Sequence, residues 1–162
     1  MGSIRTAVLD DAPHIFAIFQ QRNAFEQTIR QYQGIGLVDV IEWIETTTDK
    51  HPFLVIEYQG DVIAWCSIEP FYGLPAFDSA SEISLYVSPA YHSQGLGRKF
   101  LSHIENHRMD IGFSHLVAYV YESNKRSQGF FTRQGFELWG VLPNIAQEEY
   151  ITEDVLLLGR EF

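Results

Sequence analysis

Glu82, Ser84 and Tyr86 alternate with Ile83, Leu85 and Val87 in a run that ends at Ser88-Pro89. In an extended strand, residues two apart share a face. A carboxylate, a hydroxyl and a phenol therefore point one way, and three aliphatic side chains point the other. A carboxylate on such a wall can act as a general base. The run is followed at once by His92-Ser93-Gln94-Gly95-Leu96-Gly97 and a basic pair, Arg98-Lys99. Gly95 and Gly97 lack a Cβ, so backbone N–H groups can approach a ligand closely there. A helix starting at this point would aim those amides, at its positive end, towards an anion such as a pyrophosphate. The chemistry suggested is a proton acceptor beside an anion cradle.

Other chemistries fit less well. No Gly-Lys-Ser/Thr follows the first glycine, so the loop is not of the nucleotide triphosphate type, and three spaced glycines of a dinucleotide fingerprint are missing. His103-Ile104-Glu105-Asn106-His107 resembles a metalloprotease helix, but its Glu is displaced by one position, so no metal is expected. No Ser–His–Asp or Cys–His order is present, so nothing in the sequence calls for a covalent enzyme intermediate. The formal charge of −10 over 162 residues argues against a nucleic-acid partner. Arg98, Lys99, Lys125, Arg126 and Arg133 would supply the local positive field that an anionic cofactor needs. Cys66 is the only cysteine, which excludes an internal disulfide and suits a reducing compartment, and its apolar surroundings make it a buried structural thiol. No apolar run approaches the ~20 residues that span a bilayer. Met1-Gly2-Ser3-Ile4-Arg5-Thr6 formally fits an acylation pattern, but the segment reads as an opening strand. The expectation is a soluble cytoplasmic protein of one domain, residues 1–162.

The elements that must hold these residues follow from periodicity and punctuation. Strands are predicted over 4–8, 53–57, 62–68, 81–87, 116–120, 136–141 and 155–158. Asp11 and Asp39 are predicted to cap the first two helices, with the polar, aromatic stretch 23–37 as a loop between them. Gln59-Gly60-Asp61 marks a hairpin turn. The glycine-loop helix should run from about 94 to 109, with Leu96, Phe100, Leu101 and Ile104 inward. Asn124 is the N-cap candidate of a short helix that ends near Gln134, with Gly135 as its exit. The resulting order is βααβββαβαββ, a mixed α/β chain.

The spacing His92-x-x-Gly95-x-Gly97, the element order, and the segment from Asn124 through Ser127, Phe130 and Phe131 to Gly135-Phe136 resemble the GNAT (GCN5-related N-acetyltransferase) superfamily. That resemblance implies a central, mostly antiparallel sheet with a splayed strand pair, flanked by helices, and acetyl-CoA as cosubstrate. It implies that backbone groups of Leu85, Tyr86 and Val87 bind the pantetheine arm. The pyrophosphate would be held by His92, Ser93, Gln94, Gly95, Leu96, Gly97 and Arg98. Asn124, Ser127, Phe130 and Phe131 would line the cofactor's other side. Glu82 would take the proton from a primary amine, which then attacks the thioester carbonyl, and an N–H of Leu85 or Tyr86 would stabilise the oxyanion. Two residues depart from the pattern. His92 stands where the family has Gln or Arg, which predicts looser cofactor binding. Phe131 stands where a tyrosine commonly protonates the leaving thiolate. Tyr121, Tyr86 or water could take that role.

Within the superfamily, residues 82–87, Val141-Leu142-Pro143-Asn144 and the run from Asp154 to Arg160 look most similar to the phosphinothricin and methionine sulfoximine acetyltransferase-like group. This implies a small glutamate-like amine as acceptor, with Arg30 a candidate for its carboxylate, and a homodimer. Two alternatives remain. One is a GNAT that acetylates a protein or peptide amine, which calls for an open groove in place of a pocket closed by Phe25, Phe71, Tyr72 and Phe77. The other is a non-catalytic acetyl-CoA-binding module.

Overall fold

The computed structural model of the chain describes residues 1–21, 34–148 and 150–162. Most of the predicted 23–37 loop, with Phe25 and Arg30, lies outside the described residues. The described chain runs β1 (Ser3–Thr6), α1 (Ala12–Gln20), α2 (Leu37–Glu45), β2 (Phe53–Tyr58), β3 (Asp61–Pro70) and β4 (Ala80–Val87). It continues with α3 (Leu96–Asn106), α4 (Arg108–Ile111), β5 (His115–Tyr121), α5 (Lys125–Arg133), β6 (Glu137–Glu148) and β7 (Ile151–Glu161). Among the described residues the seven strands form one sheet in the order β1-β2-β3-β4-β5-β7-β6. The pairs β1–β2, β2–β3, β5–β7 and β6–β7 are antiparallel, and β4–β5 is parallel. Residues form two compact units, Met1–Ile68 with Leu85–Ile111, and Glu69–Ser84 with Gly112–Phe162.

In the first unit, β2 and β3 turn through Gln59 and Gly60, at φ 52° and 85°, between the paired Tyr58 and Asp61. A two-residue turn with both φ positive matches the twist of antiparallel strands, so the glycine here is a conformational requirement. The first strand ends two residues earlier than expected. Asp11 explains this, because its carboxylate accepts the Val8 N–H at 2.8 Å and folds 9–11 into a tight turn before α1. The same carboxylate takes both Arg5 guanidinium nitrogens, at 2.7 and 2.9 Å. The Arg5 hydrogen bonds hold the Asp11 carboxyl below its ordinary value. Asp39 does not sit at the N-cap predicted for it. Gly36 is the cap, the helix begins at Leu37, and Asp39 reaches back from the third position to the Gly36 N–H at 2.7 Å. Ile15, Phe19, Val40, Phe53, Val55 and Trp65 then close a core between α1, α2 and the sheet. Each fully buried aliphatic side chain there contributes about 1.5–3 kcal/mol.

The glycine-loop helix is shorter than its predicted span. It stops at Asn106, and 108–111 form a separate turn. In the second unit, β6 and β7 are much longer than the predicted 136–141 and 155–158. Their outer halves contain Pro143, Asn144, Gln147 and Thr152, which hide strand periodicity. Pairing carries the ladder outward with two register shifts, one next to Trp139 and one over 142–146. Asn144 takes a positive φ of 53° there, and its N–H donates to Asp154 Oδ1 at 2.8 Å. Trp139 lies over Gly159, where any Cβ would overlap the indole.

Candidate active site

The first unit holds the anion-loop residues. The end of β4 is fixed by the Ser88 N–H, which donates to Ile63 O at 2.9 Å, and by a turn closed from the Tyr91 N–H to Ser88 O at 2.8 Å. Ser93 and Gly95 take positive φ values of 63° and 77°, which swing the chain into α3. Gly95 is the cap residue, and its carbonyl accepts the Lys99 N–H at 3.0 Å as the helix begins. The amides ahead of this first turn have no intrahelical partners by construction of an α-helix. Ser93, Gln94, Gly95 and Arg98 are exposed, while Leu96 and Gly97 are buried. A side-chain contact from Leu96 is thus directed into the core, and its backbone is what remains for a ligand.

His92 has a definite partner in this unit. Its Nε2 lies 2.9 Å from Val87 O. A carbonyl only accepts, so Nε2 carries the proton and donates. The ring that could have faced an anion is latched to the end of β4. Lys99 is likewise engaged, with Nζ donating to the Met1 carbonyl at 3.1 Å and to that of Gly2. Lys125 pairs with Glu122 at 2.7 Å. Two members of the expected positive cluster are therefore committed locally. Tyr86 is packed edge-on to Phe19, at 5.6 Å between centroids, and against Trp65 at 4.5 Å.

The second unit holds the carboxylate. β4 and β5 run in register from Ala80↔His115 to Glu82↔Val117, where the pairing stops. Both strands continue, β4 to Val87 and β5 to Tyr121. Burial, then the charge of Glu69, push the Glu82 carboxyl up to about 7. That value suits a base working near neutral pH, since it can accept a proton without being too weak to do so. Partners in a register pair share a face, so Glu82, Val117, Tyr119 and Tyr121 line one side. Tyr119 was not singled out by the sequence, although its spacing from Tyr121 carried the signal. It is 42% exposed. Partial burial and the Glu82 charge raise its phenol above the ordinary value.

The remaining expected residues cluster at the start of α5. Asn124 Oδ1 accepts the Ser127 N–H at 3.1 Å, so this side chain caps the helix as expected. Gln128 Nε2 reaches the Tyr121 and Glu122 carbonyls at 3.0 and 2.7 Å. Phe130 is half-buried. Phe131 is buried, with its ring 5.2 Å from Phe130 and 4.9 Å from Phe136. Its side chain is core material. Among the described residues no group of three His, Cys, Asp or Glu could hold a metal ion. His103 and His107 stack at 4.3 Å, and His107 Nδ1 bonds the His103 carbonyl at 2.8 Å.

Residues 15–136 match the Acetyltransferase (GNAT) family. The chain belongs to that family. "Putative phosphinothricin acetyltransferase YwnH" of Bacillus subtilis (strain 168) is 31% identical over 98% of each chain. The L-methionine sulfoximine/L-methionine sulfone acetyltransferase of Pseudomonas aeruginosa (strain PAO1) is 28% identical, covering 91% of this chain and 87% of that protein. The crystal structure of a ribosomal-protein-alanine N-acetyltransferase from Brucella melitensis superposes with a TM-score of 0.85 at 28% identity over 99% of each chain. This GNAT protein is an acetyl-CoA-dependent N-acetyltransferase.

Proposed function

We propose that this GNAT enzyme transfers the acetyl group of acetyl-CoA to the primary amine of a small, amino-acid-like acceptor, with Glu82 as the base. The observation that carries the reading is Glu82 itself, half-buried and held near 7 on the strand that leads into the glycine loop. An amine is mostly protonated at neutral pH, so nitrogen must lose a proton before it attacks. Glu82 takes that proton directly or through a water. The N–C bond forms at the thioester carbonyl, an amide of Leu85 or Tyr86 stabilises the oxyanion, and the C–S bond then breaks. Backbone groups of Leu85, Tyr86 and Val87 hold the pantetheine, the 93–98 amides and Arg98 hold the pyrophosphate, and Asn124, Ser127 and Phe130 lie along the cofactor. His92 supports that loop through Val87 and need not touch the phosphate.

The names of the Bacillus and Pseudomonas relatives support a small acceptor. The Brucella structure supports a second reading, acetylation of a peptide amine, and so does the open loop between β3 and β4, where Tyr72 and Phe77 are 66% and 41% exposed. Thiol release from acetyl-CoA with glutamate analogues, methionine sulfoximine, other amino acids, polyamines and short peptides decides between them. Turnover with one small amine supports the first reading, and turnover with peptides alone replaces it with the second. Cofactor binding without release for any of these would leave either an acceptor outside the panel or a non-catalytic acetyl-CoA-binding module. We further take the protein to be a cytoplasmic homodimer. The lone buried thiol and the exposed Leu138, Val141 and Ile145 on edge strand β6 support this, and light scattering tests the dimer. Among the described residues no helix is long and apolar enough to cross a membrane.

A further inference from the structure

We propose that Tyr119 is a catalytic residue of the acetyl transfer, the phenol that gives a proton to the departing CoA sulfur. The inference rests on Glu82 being the base. The sulfur is bonded to the carbon that the amine attacks, so its proton donor must act close to where the base meets the nitrogen. The β4–β5 register fixes which donors are near. Val117 is the partner of Glu82, and Tyr119 is the next residue on the same face, about 6.6 Å further along β5.

Other donors on that face are less well placed among the described residues. Tyr86 is packed between Phe19 and Trp65 in the first unit. Ser84 carries an aliphatic hydroxyl, a far weaker acid than a phenol. Tyr121 lies a further two residues on, at the end of β5. Phe131 is buried and has no proton to give. Tyr119 combines a hydroxyl, partial exposure and an electrostatic link to Glu82. The titratable groups sharing its face are Glu82 on β4 and His115 and Tyr121 on β5, and the charge of Glu69 on β3 acts on Glu82. On β7 it faces Leu157, while Glu161 lies opposite His115.

The protons balance without an outside reagent. Glu82 passes the ammonium proton to water before the attack, then takes a second proton from nitrogen as the N–C bond forms, and the C–S bond breaks with its electron pair on sulfur. Tyr119 gives its phenolic proton to that sulfur and recovers one from Glu82. Nitrogen thus loses one proton to solvent and one to the thiol, with the enzyme unchanged. A phenol whose proton affinity is raised stays protonated through neutral pH, which is the state a donor needs.

The test is Tyr119→Phe, with kcat followed from roughly pH 6 to pH 11.5, beyond the ordinary tyrosine value of about 10, and acetyl-CoA affinity measured by calorimetry. On the proposal, kcat falls about 100-fold and its alkaline limb disappears, while the acid limb and cofactor affinity persist. Fluorotyrosine at position 119 should retain activity and move the alkaline limb to lower pH, which keeps the test open if the Phe variant folds poorly. Unchanged kcat, or reduced kcat with the alkaline limb intact, overturns the role of Tyr119. Glu82→Gln is measured in parallel. If it too retains full turnover, the base assignment has failed, and if it alone loses turnover, only the Tyr119 proposal has.

Discussion

Tyr86 and Glu82 share one face of β4 and meet opposite environments. At the Tyr86 end, α1 and α2 cover the face, and the ring is sealed among Phe19 and Trp65. At the Glu82 end, the neighbours by register are Val117 and the half-exposed Tyr119, with Glu69 adding a like charge. Strand alternation put a phenol and a carboxylate on one wall, but coverage decides which of them stays available for proton exchange. A polar group packed among rings is a structural element. A carboxyl that is half-buried without a cation among its described partners is held near neutrality and is ready to exchange protons.

The comparison breaks first at Glu82. Glu82→Gln keeps the shape and removes the proposed base, so kcat should fall at least about 100-fold while calorimetry finds acetyl-CoA affinity within about twofold. Unchanged turnover would make the two ends of β4 equivalent after all. Gly95→Val probes the other half of the machinery. With φ at 77° and nothing within 4 Å of an added Cβ, the damage comes from backbone strain. Strain of about 1–3 kcal/mol should weaken acetyl-CoA binding roughly ten- to hundredfold, and a calorimetric affinity equal to wild type would mean the loop does not bind the cofactor.

A smaller effect sharpens the electrostatics. On the proposed role Glu82 acts in its ionised form, so kcat/KM should rise with pH through about 7. The Glu69 charge contributes to that raised value, so Glu69→Gln lowers it and moves the acid limb to lower pH. Activity at pH 6 should increase a few-fold, with no change well above neutrality. An acid limb that stays in place would leave burial as the sole cause. Tyr86→Phe should change least, with kcat within about twofold because the ring contacts persist. A larger loss would give the sealed end of β4 a chemical role.

Much of this arrangement was legible in residues 82–97, because alternation and glycine punctuation are local signals. Gln59-Gly60 announced its turn for the same reason, and Asn124 its cap. Asp39 misled because a carboxylate at the third helical position serves the same orphan amides as one at the cap. The outer halves of β6 and β7 lack hydrophobic alternation and exist through pairing with each other, which no local window reports. The packing of Tyr86 and the commitment of Lys99 to the N-terminal strand are also tertiary. The spacing of Tyr119 from Tyr121 was local and visible, but its place beside Glu82 lies in a register with β4 that only the paired strands reveal.

The aromatic cluster has a spectroscopic consequence. The chain has three tryptophans, Trp43, Trp65 and Trp139. Trp43 and Trp65 lie in the first unit with ring centroids 6.1 Å apart, whereas Trp139 belongs to the second and is 44% exposed. Rigid, closely spaced indoles give a strong near-ultraviolet circular dichroism signal that vanishes when packing loosens. A solvent-facing indole reports instead through the wavelength of its fluorescence. Each unit thus carries its own optical reporter, and a single thermal scan read at both signals would show whether the two melt together.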